Sequence, residues 1–137
     1  VAIHVEAPDQ HRATLDAIRD SGGRAGLAID PETPIESLAS LRDELDFALV
    51  MTVKSGFGGQ SYRAEAAGRM AAIRTLIGER DGHPLPLHVD GGINPTTAGD
   101  AAAAGADLLV VGSALFSAQG PTGMGGAVRA IRESATR

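Results

Sequence analysis

The chain has 137 residues, a formal net charge of −5 and no cysteine. That length gives one domain or part of one, with room for a single core. The negative charge and the lack of any basic cluster exclude nucleic acid and an anionic membrane surface as expected partners. Absent cysteine rules out disulfide and thiolate chemistry and makes a reducing cytoplasm the expected location, and no apolar run approaches the roughly 18 residues of a membrane span.

The elements follow one another in a regular alternation. A strand is expected over residues 1–5, with His4 and Glu6 on one face by the two-residue period of a strand. A helix over residues 8–20 carries Leu15 and Ile18 inward and stops at Gly22-Gly23, before a strand over residues 24–29. Thr33-Pro34-Ile35-Glu36 has a capping-box pattern with Pro at the first helical position, which opens a helix through about Leu45. The β-branched run over residues 47–53 predicts a third strand. An Ala-rich helix over residues 62–77, with Met70, Ile73 and Ile77 on one face, comes next. A strand over residues 85–90, a helix from Asn94-Pro95 to the C-terminal glycine Gly105, a strand over residues 107–112 and a last helix over residues 125–135 complete the series.

Strands alternating with helices imply right-handed βαβ units and a parallel sheet. A doubly wound sheet and a (β/α)₈ barrel both fit that alternation. The glycines favour the barrel, because they fall where strands end: Gly56, Gly58 and Gly59 around Phe57, then Gly91-Gly92, then Gly112. A barrel builds its active site at that end of its strands, with phosphate held by the loops after the late strands. Five units are too few to close eight strands, so the sequence reads as about the last five βα units of a barrel whose other strands would lie before Val1.

Three such loops on neighbouring strands would offer backbone amides unobstructed by side chains. Ser113 precedes a short helical turn at Ala114-Leu115-Phe116, whose free N–H groups would face the same point. Amides at a helix start together with a concave nest of N–H groups hold an anion without Arg or Lys; the competing reading is that these are tight turns. Asp90 ends a strand before the Gly91-Gly92 turn, either as a turn former or as a carboxylate aimed into the barrel mouth as base or metal ligand. His88 shares the Asp90 face one layer below, so a buried, hydrogen-bonded histidine is expected there rather than a metal ligand joining His4 and Asp90. His11 and His83 read as solvated, and Asp16, Asp20, Asp43 and Glu44 as an exposed helix face.

The strings MTVKSGFGGQSY, LHVDGGIN and GADLLVVGSALF, in that order and spacing, resemble the ribulose-phosphate 3-epimerase family. IHVEA and GRAGLAIDPETPIE are similar too, so the resemblance covers essentially the whole chain. It implies a (β/α)₈ TIM barrel of the ribulose-phosphate-binding type, represented by its C-terminal part as a single domain over residues 1–137. It also implies inversion at C3 of D-ribulose 5-phosphate to D-xylulose 5-phosphate by two acid/base groups on opposite faces. One divalent metal ion (zinc, iron(II), manganese or cobalt) is implied as cofactor, and a small-molecule phosphosugar as partner; a homo-oligomer is compatible with the same resemblance. Carried over by position, Asp90 matches the carboxylate that is both metal ligand and acid/base group. Gly56, Phe57, Gly58, Gly59, Gly91, Gly92, Gly112 and Ser113 match substrate and phosphate positions, and Met51 a methionine lining the reaction centre. The resemblance implies that the family's opposing carboxylate and two metal-binding histidines would sit on strands lying before Val1. Two departures stand out: Lys54-Ser55 replaces the family's Asn-Pro ahead of the glycines, and Asp30-Pro31 replaces another Asn-Pro. A related ketohexose-phosphate (allulose 6-phosphate) epimerase, or a non-catalytic half-barrel that binds phosphate and associates through its open edge at residues 1–5, are the alternatives.

Overall fold

The structure is a computed structural model that describes residues 1–8, 10–56, 59–63, 65–118, 120 and 123–136. In chain order it runs β1 (Ala2–His4), α1 (His11–Asp20), β2 (Gly26–Ile29), a 3₁₀ helix (Ile35–Glu44), β3 (Phe47–Met51), α2 (Ala66–Ile77), β4 (Glu79–Arg80), β5 (His83–Pro84), β6 (Leu87–Asp90), α3 (Ala98–Ala103), β7 (Leu108–Val110), α4 (Ser113–Phe116) and α5 (Gly123–Ala135).

Five of the strands form one parallel sheet in the order β1-β2-β3-β6-β7. Spatial order therefore follows chain order in one direction. A doubly wound sheet reverses its order at a switch point, and this sheet has none, so it is a section of barrel wall. One face of the wall is packed under helices. Leu27, Ile29, Ala48, Val50, Leu87 and Val89 alternate along their strands and are all fully buried, together with Leu15 of α1, Leu38 of the 3₁₀ helix, Met70 and Ile73 of α2, and Ala98 and Ala101 of α3. Full burial of a Leu or Ile side chain contributes about 1.5–3 kcal/mol, so this shared layer supplies the main drive for the fold. The opposite face carries Leu49, His88 and Leu108 in one register row and Met51, Asp90 and Val110 in the next. It is open at β7, where Leu108 is 45% and Val110 37% exposed.

Several local expectations change. The Thr33 capping box does not form: the segment begins without a side-chain cap and turns with i→i+3 bonds such as Ser37 N–H to the Pro34 carbonyl. The Thr33 hydroxyl donates instead to Glu6, a charged acceptor brought in from another strand end. Glu44 is no solvated face residue; its carboxylate pairs with Arg12 of α1 and is only 20% exposed, whereas Asp43 is 90% exposed. His11 is half-buried, with Nε2 3.2 Å from the His4 carbonyl. The hairpin β4–β5 adds to the expected elements, and Asp81-Gly82 at its tip is the pair that a type I′ turn favours. Both residues have positive φ, 54° and 76°, and Arg80 pairs with His83 across them. Gly105 does end α3, with φ 99° and its N–H on the Ala102 carbonyl at 2.9 Å.

Candidate active site

The C-terminal ends of β3, β6 and β7 surround a cavity of about 400 Å³. Register is what assembles it. Met51, Asp90 and Val110 are adjacent partners across the three strands, so their side chains share one face and all line the cavity. Beyond them the three glycine-bearing loops meet, contributing Gly56, Gly59, Gly91, Gly92, Gly112 and Ser113 to its wall. Phe57 and Gly58, also expected there, lie outside the described residues.

The β3 and β6 ends are locked by Thr52, the sole buried polar residue among those described, 1% exposed. Its N–H donates to the Asp90 carbonyl at 2.8 Å and its hydroxyl to the same oxygen at 3.0 Å, and the hydroxyl also donates to the Gly91 carbonyl. The turn that follows must be glycine for reasons of chain crowding. Gly91 has φ 117°, and a Cβ there would lie 2.6 Å from Val53 Cγ2 and 2.7 Å from Thr52 Oγ1. Gly92 has φ 61°, and a Cβ would run into the Tyr62 backbone. Gly112 differs: its φ is −109° and a Cβ would meet no atom within 4 Å. Packing explains the first two glycines and leaves the third open to a ligand-side reason. After the turn, Asn94 Oδ1 accepts from the Thr96 N–H at 2.8 Å, while the Thr97 hydroxyl accepts from the Asn94 N–H at 3.0 Å and donates to the Gly92 carbonyl at 2.9 Å. That shell delays regular helix from Asn94 to Ala98 and holds Gly92 in place.

Asp90 is half-buried, and burial pushes its carboxyl above the ordinary carboxylate value, partly offset by a hydrogen bond from the Gly91 N–H. A carboxylate in that condition accepts a proton more readily than a solvated one. His88 does sit a layer below, but its partner is the Phe47 ring, stacked at 4.4 Å with 17° between planes, instead of a hydrogen bond. Desolvation first, then the nearby Arg24 charge, hold its pKa low. Gly26 makes the stack possible, because a Cβ there would overlap the Phe47 ring. His4 reaches Glu6 Oε2 at 3.2 Å on β1, separated from β6 by β2 and β3. The described residues contain no group of three His, Cys, Asp or Glu able to hold a metal ion. Asp90 offers one carboxylate, which is too few donors for a divalent site by itself.

Three residues acquire roles here that the sequence pattern does not state. Thr52 sits in an ordinary strand end, Gln60 spans the loop base with Nε2 2.7 Å from the Lys54 carbonyl, and Asp30 binds Ser55 from across the sheet. Their roles arise from contacts between segments, so no local pattern announces them.

The profile of the Ribulose-phosphate 3 epimerase family matches residues 1–116. The chain belongs to the ribulose-phosphate 3-epimerase family. It is 42% identical over 135 residues to the ribulose-phosphate 3-epimerase of Rhodobacter capsulatus, covering 96% of this chain and 58% of that protein. It is 40% identical over 116 residues to the Escherichia coli K12 enzyme of the same name, covering 85% and 51%. The chain thus spans about half the length of the curated relatives it matches. Among solved structures, 3-hexulose-6-phosphate synthase from Salmonella typhimurium superimposes with TM-score 0.70 at 18% identity, over 99% of this chain and 61% of that one. Mycobacterium tuberculosis tryptophan synthase gives 0.66 at 21% identity, over 98% and 49%. These likenesses concern the fold alone, and they agree with a partial (β/α) barrel of the kind the epimerase family uses.

Proposed function

We propose that the complete polypeptide containing this chain epimerises a pentulose 5-phosphate at C3, interconverting D-ribulose 5-phosphate and D-xylulose 5-phosphate. The observation that supports this reading most is the convergence of Asp90 and three glycine loops on one cavity at the C-terminal ends of β3, β6 and β7. Within it, Asp90 is the proton acceptor and donor on one face of the substrate carbon. Its elevated pKa reduces the cost of taking a proton from carbon, and Thr52 keeps its backbone still while it does so. The glycine loops and Ser113 hold the phosphate, fixing C3 against the Asp90 carboxyl.

Inversion also requires an acid/base group on the opposite face, which the described residues do not supply; it belongs to the rest of the polypeptide in this reading. The same holds for a divalent cation. The described residues do not make a site for one by themselves, and Asp90 would contribute one of its ligands. Soluble operation on a small phosphosugar in the cytoplasm completes the proposal; no helix among the described residues is long and apolar enough to cross a membrane.

The test is proton exchange at C3 of ribulose 5-phosphate by the complete polypeptide, with and without Asp90→Asn. That change keeps the turn and removes the base, so exchange should fall by roughly 10²–10⁴-fold. Exchange retained within threefold would remove Asp90 from the mechanism. Equal turnover of a six-carbon ketose phosphate would instead favour the allulose-phosphate alternative.

A further inference from the structure

The loop after β3 is held by a residue from the end of β2. Asp30 follows Ile29, and its side chain is 18% exposed. Its Oδ2 accepts from the Ser55 hydroxyl at 2.9 Å and its Oδ1 from the Ser55 N–H at 3.3 Å. Asp30 is itself fixed on both sides: its N–H donates to Glu6 Oε1 at 3.0 Å, and its carbonyl accepts from Arg69 at 2.8 Å. Arg69 lies on α2, the helix into which the loop runs, and donates to the Thr33 carbonyl at 2.5 Å as well. Gln60 closes the loop across its base onto the Lys54 carbonyl. Ser55 is therefore held by Asp30 and the Lys54 carbonyl by Gln60, while Arg69 in turn holds Asp30.

Ser55, Gly56, Gly59 and Gln60 line the cavity beside Asp90, whereas Asp30 does not. Asp30 thus acts on the cavity wall from behind. A proline at position 55 would have stiffened the loop through its ring; serine has no ring, but it supplies two donors, an N–H and a hydroxyl. A carboxylate accepting both makes a charge-assisted pair, stronger and shorter than neutral hydrogen bonds. Two of the three positions where this chain departs from its family's pattern, 30 and 55, are in direct contact.

We propose that Asp30 is a positioning residue that, through Ser55, sets the Ser55-Gly56 backbone that lines the cavity for an anion. This rests on the phosphosugar reading above. Phosphate affinity then depends on a residue that never touches the ligand, and kcat depends on it far less.

The experiment uses the complete polypeptide as wild type, Asp30→Ala, Ser55→Ala, the double variant and Asp30→Asn. Three quantities are measured: the dissociation constant of inorganic phosphate by calorimetry, amide exchange at Ser55 and Gly56, and kcat and KM for ribulose 5-phosphate. Each single alanine variant should weaken phosphate roughly tenfold, within the 5–150-fold span of coupling between distinct sites. The double variant should be no worse than either single, because both remove one interaction. KM should rise in Asp30→Ala with kcat within threefold, loop amides should exchange faster, and Asp30→Asn, which keeps an acceptor oxygen, should recover most of the affinity. Ser55→Ala removes a single oxygen from a half-buried side chain and reports even if Asp30→Ala does not fold. Unchanged phosphate affinity in Ser55→Ala, or losses that multiply in the double variant, would overturn the proposal while leaving the phosphosugar reading intact. A wild-type protein that binds no phosphate overturns both, and is recognised because every variant then gives the same null titration.

Discussion

Replacing Gly91 with alanine tests the site where backbone geometry, packing and chemistry meet. A side chain at φ 117° sits in a region that L residues rarely enter, at a cost of about 1–3 kcal/mol. The added Cβ must also displace Val53 Cγ2 from 2.6 Å, Thr52 Oγ1 from 2.7 Å and the Val53 amide nitrogen from 3.0 Å. Crowding of that kind in a packed region costs about 1–3 kcal/mol more. The two effects together give a loss of about 2–6 kcal/mol, a large share of the roughly 5–15 kcal/mol that holds a typical domain folded. Relief can come only by moving Thr52, whose hydroxyl fixes the Asp90 and Gly91 carbonyls, so the Asp90 carboxyl should shift as well. Urea denaturation of the complete polypeptide, analysed by linear extrapolation, measures the loss. A change below about 1 kcal/mol with unaltered C3 exchange would refute the claim that crowding dictates this glycine.

Gly68→Ala is the opposite case: it lies inside α2, where an added Cβ would meet no atom within 4 Å, so the urea midpoint should rise by the equivalent of about 0.5–1 kcal/mol. Thr52→Val keeps the shape and deletes the hydroxyl, leaving the Gly91 carbonyl without that donor; stability should fall by about 1–3 kcal/mol in the same assay, and an unchanged midpoint would argue against the lock. Burial raises the carboxyl pKa values of Glu6, Asp46 and Asp107, but hydrogen bonds from Thr33, from the Ala25 N–H and from the Leu87 N–H, with Arg80 and Arg74 beside the last two, bring all three below the usual carboxylate range. Their stabilising contribution is present above the ordinary value of about 4 and is lost as pH falls through the depressed folded values, while Asp90 works the other way. The urea midpoint should therefore drop between pH 5 and pH 2.5, both pH values being chosen to bracket the roughly 4 of free carboxylates; a flat or rising midpoint would contradict this. Lys54 is exposed at the cavity, and Lys54→Asn should change kcat less than tenfold, whereas a hundredfold loss would give its ammonium an active part.

The sequence by itself determined what depends on neighbouring residues. Apolar runs placed the five long strands within a few residues, since a strand buried under helices needs β-branched and aliphatic side chains whatever surrounds it. Glycine marked the turns after β3 and β6, because φ values of 127° at Gly56, 117° at Gly91 and 61° at Gly92 are strained for any other residue. Alternation placed Asp90 and His88 on one face, and Asp81-Gly82 carries a local signal for the β4–β5 hairpin. Tertiary structure alone decided the rest. Strand order chose barrel wall over doubly wound sheet, and that order brought Thr52 to Asp90 across 38 residues and Ser55 to Asp30 across 25. It also gave His88 a ring to stack on, and turned the Thr33 hydroxyl from its own helix to Glu6. A hydroxyl or carboxylate bonds to whichever donor or acceptor the sheet register delivers, and register is a property of all the strands together.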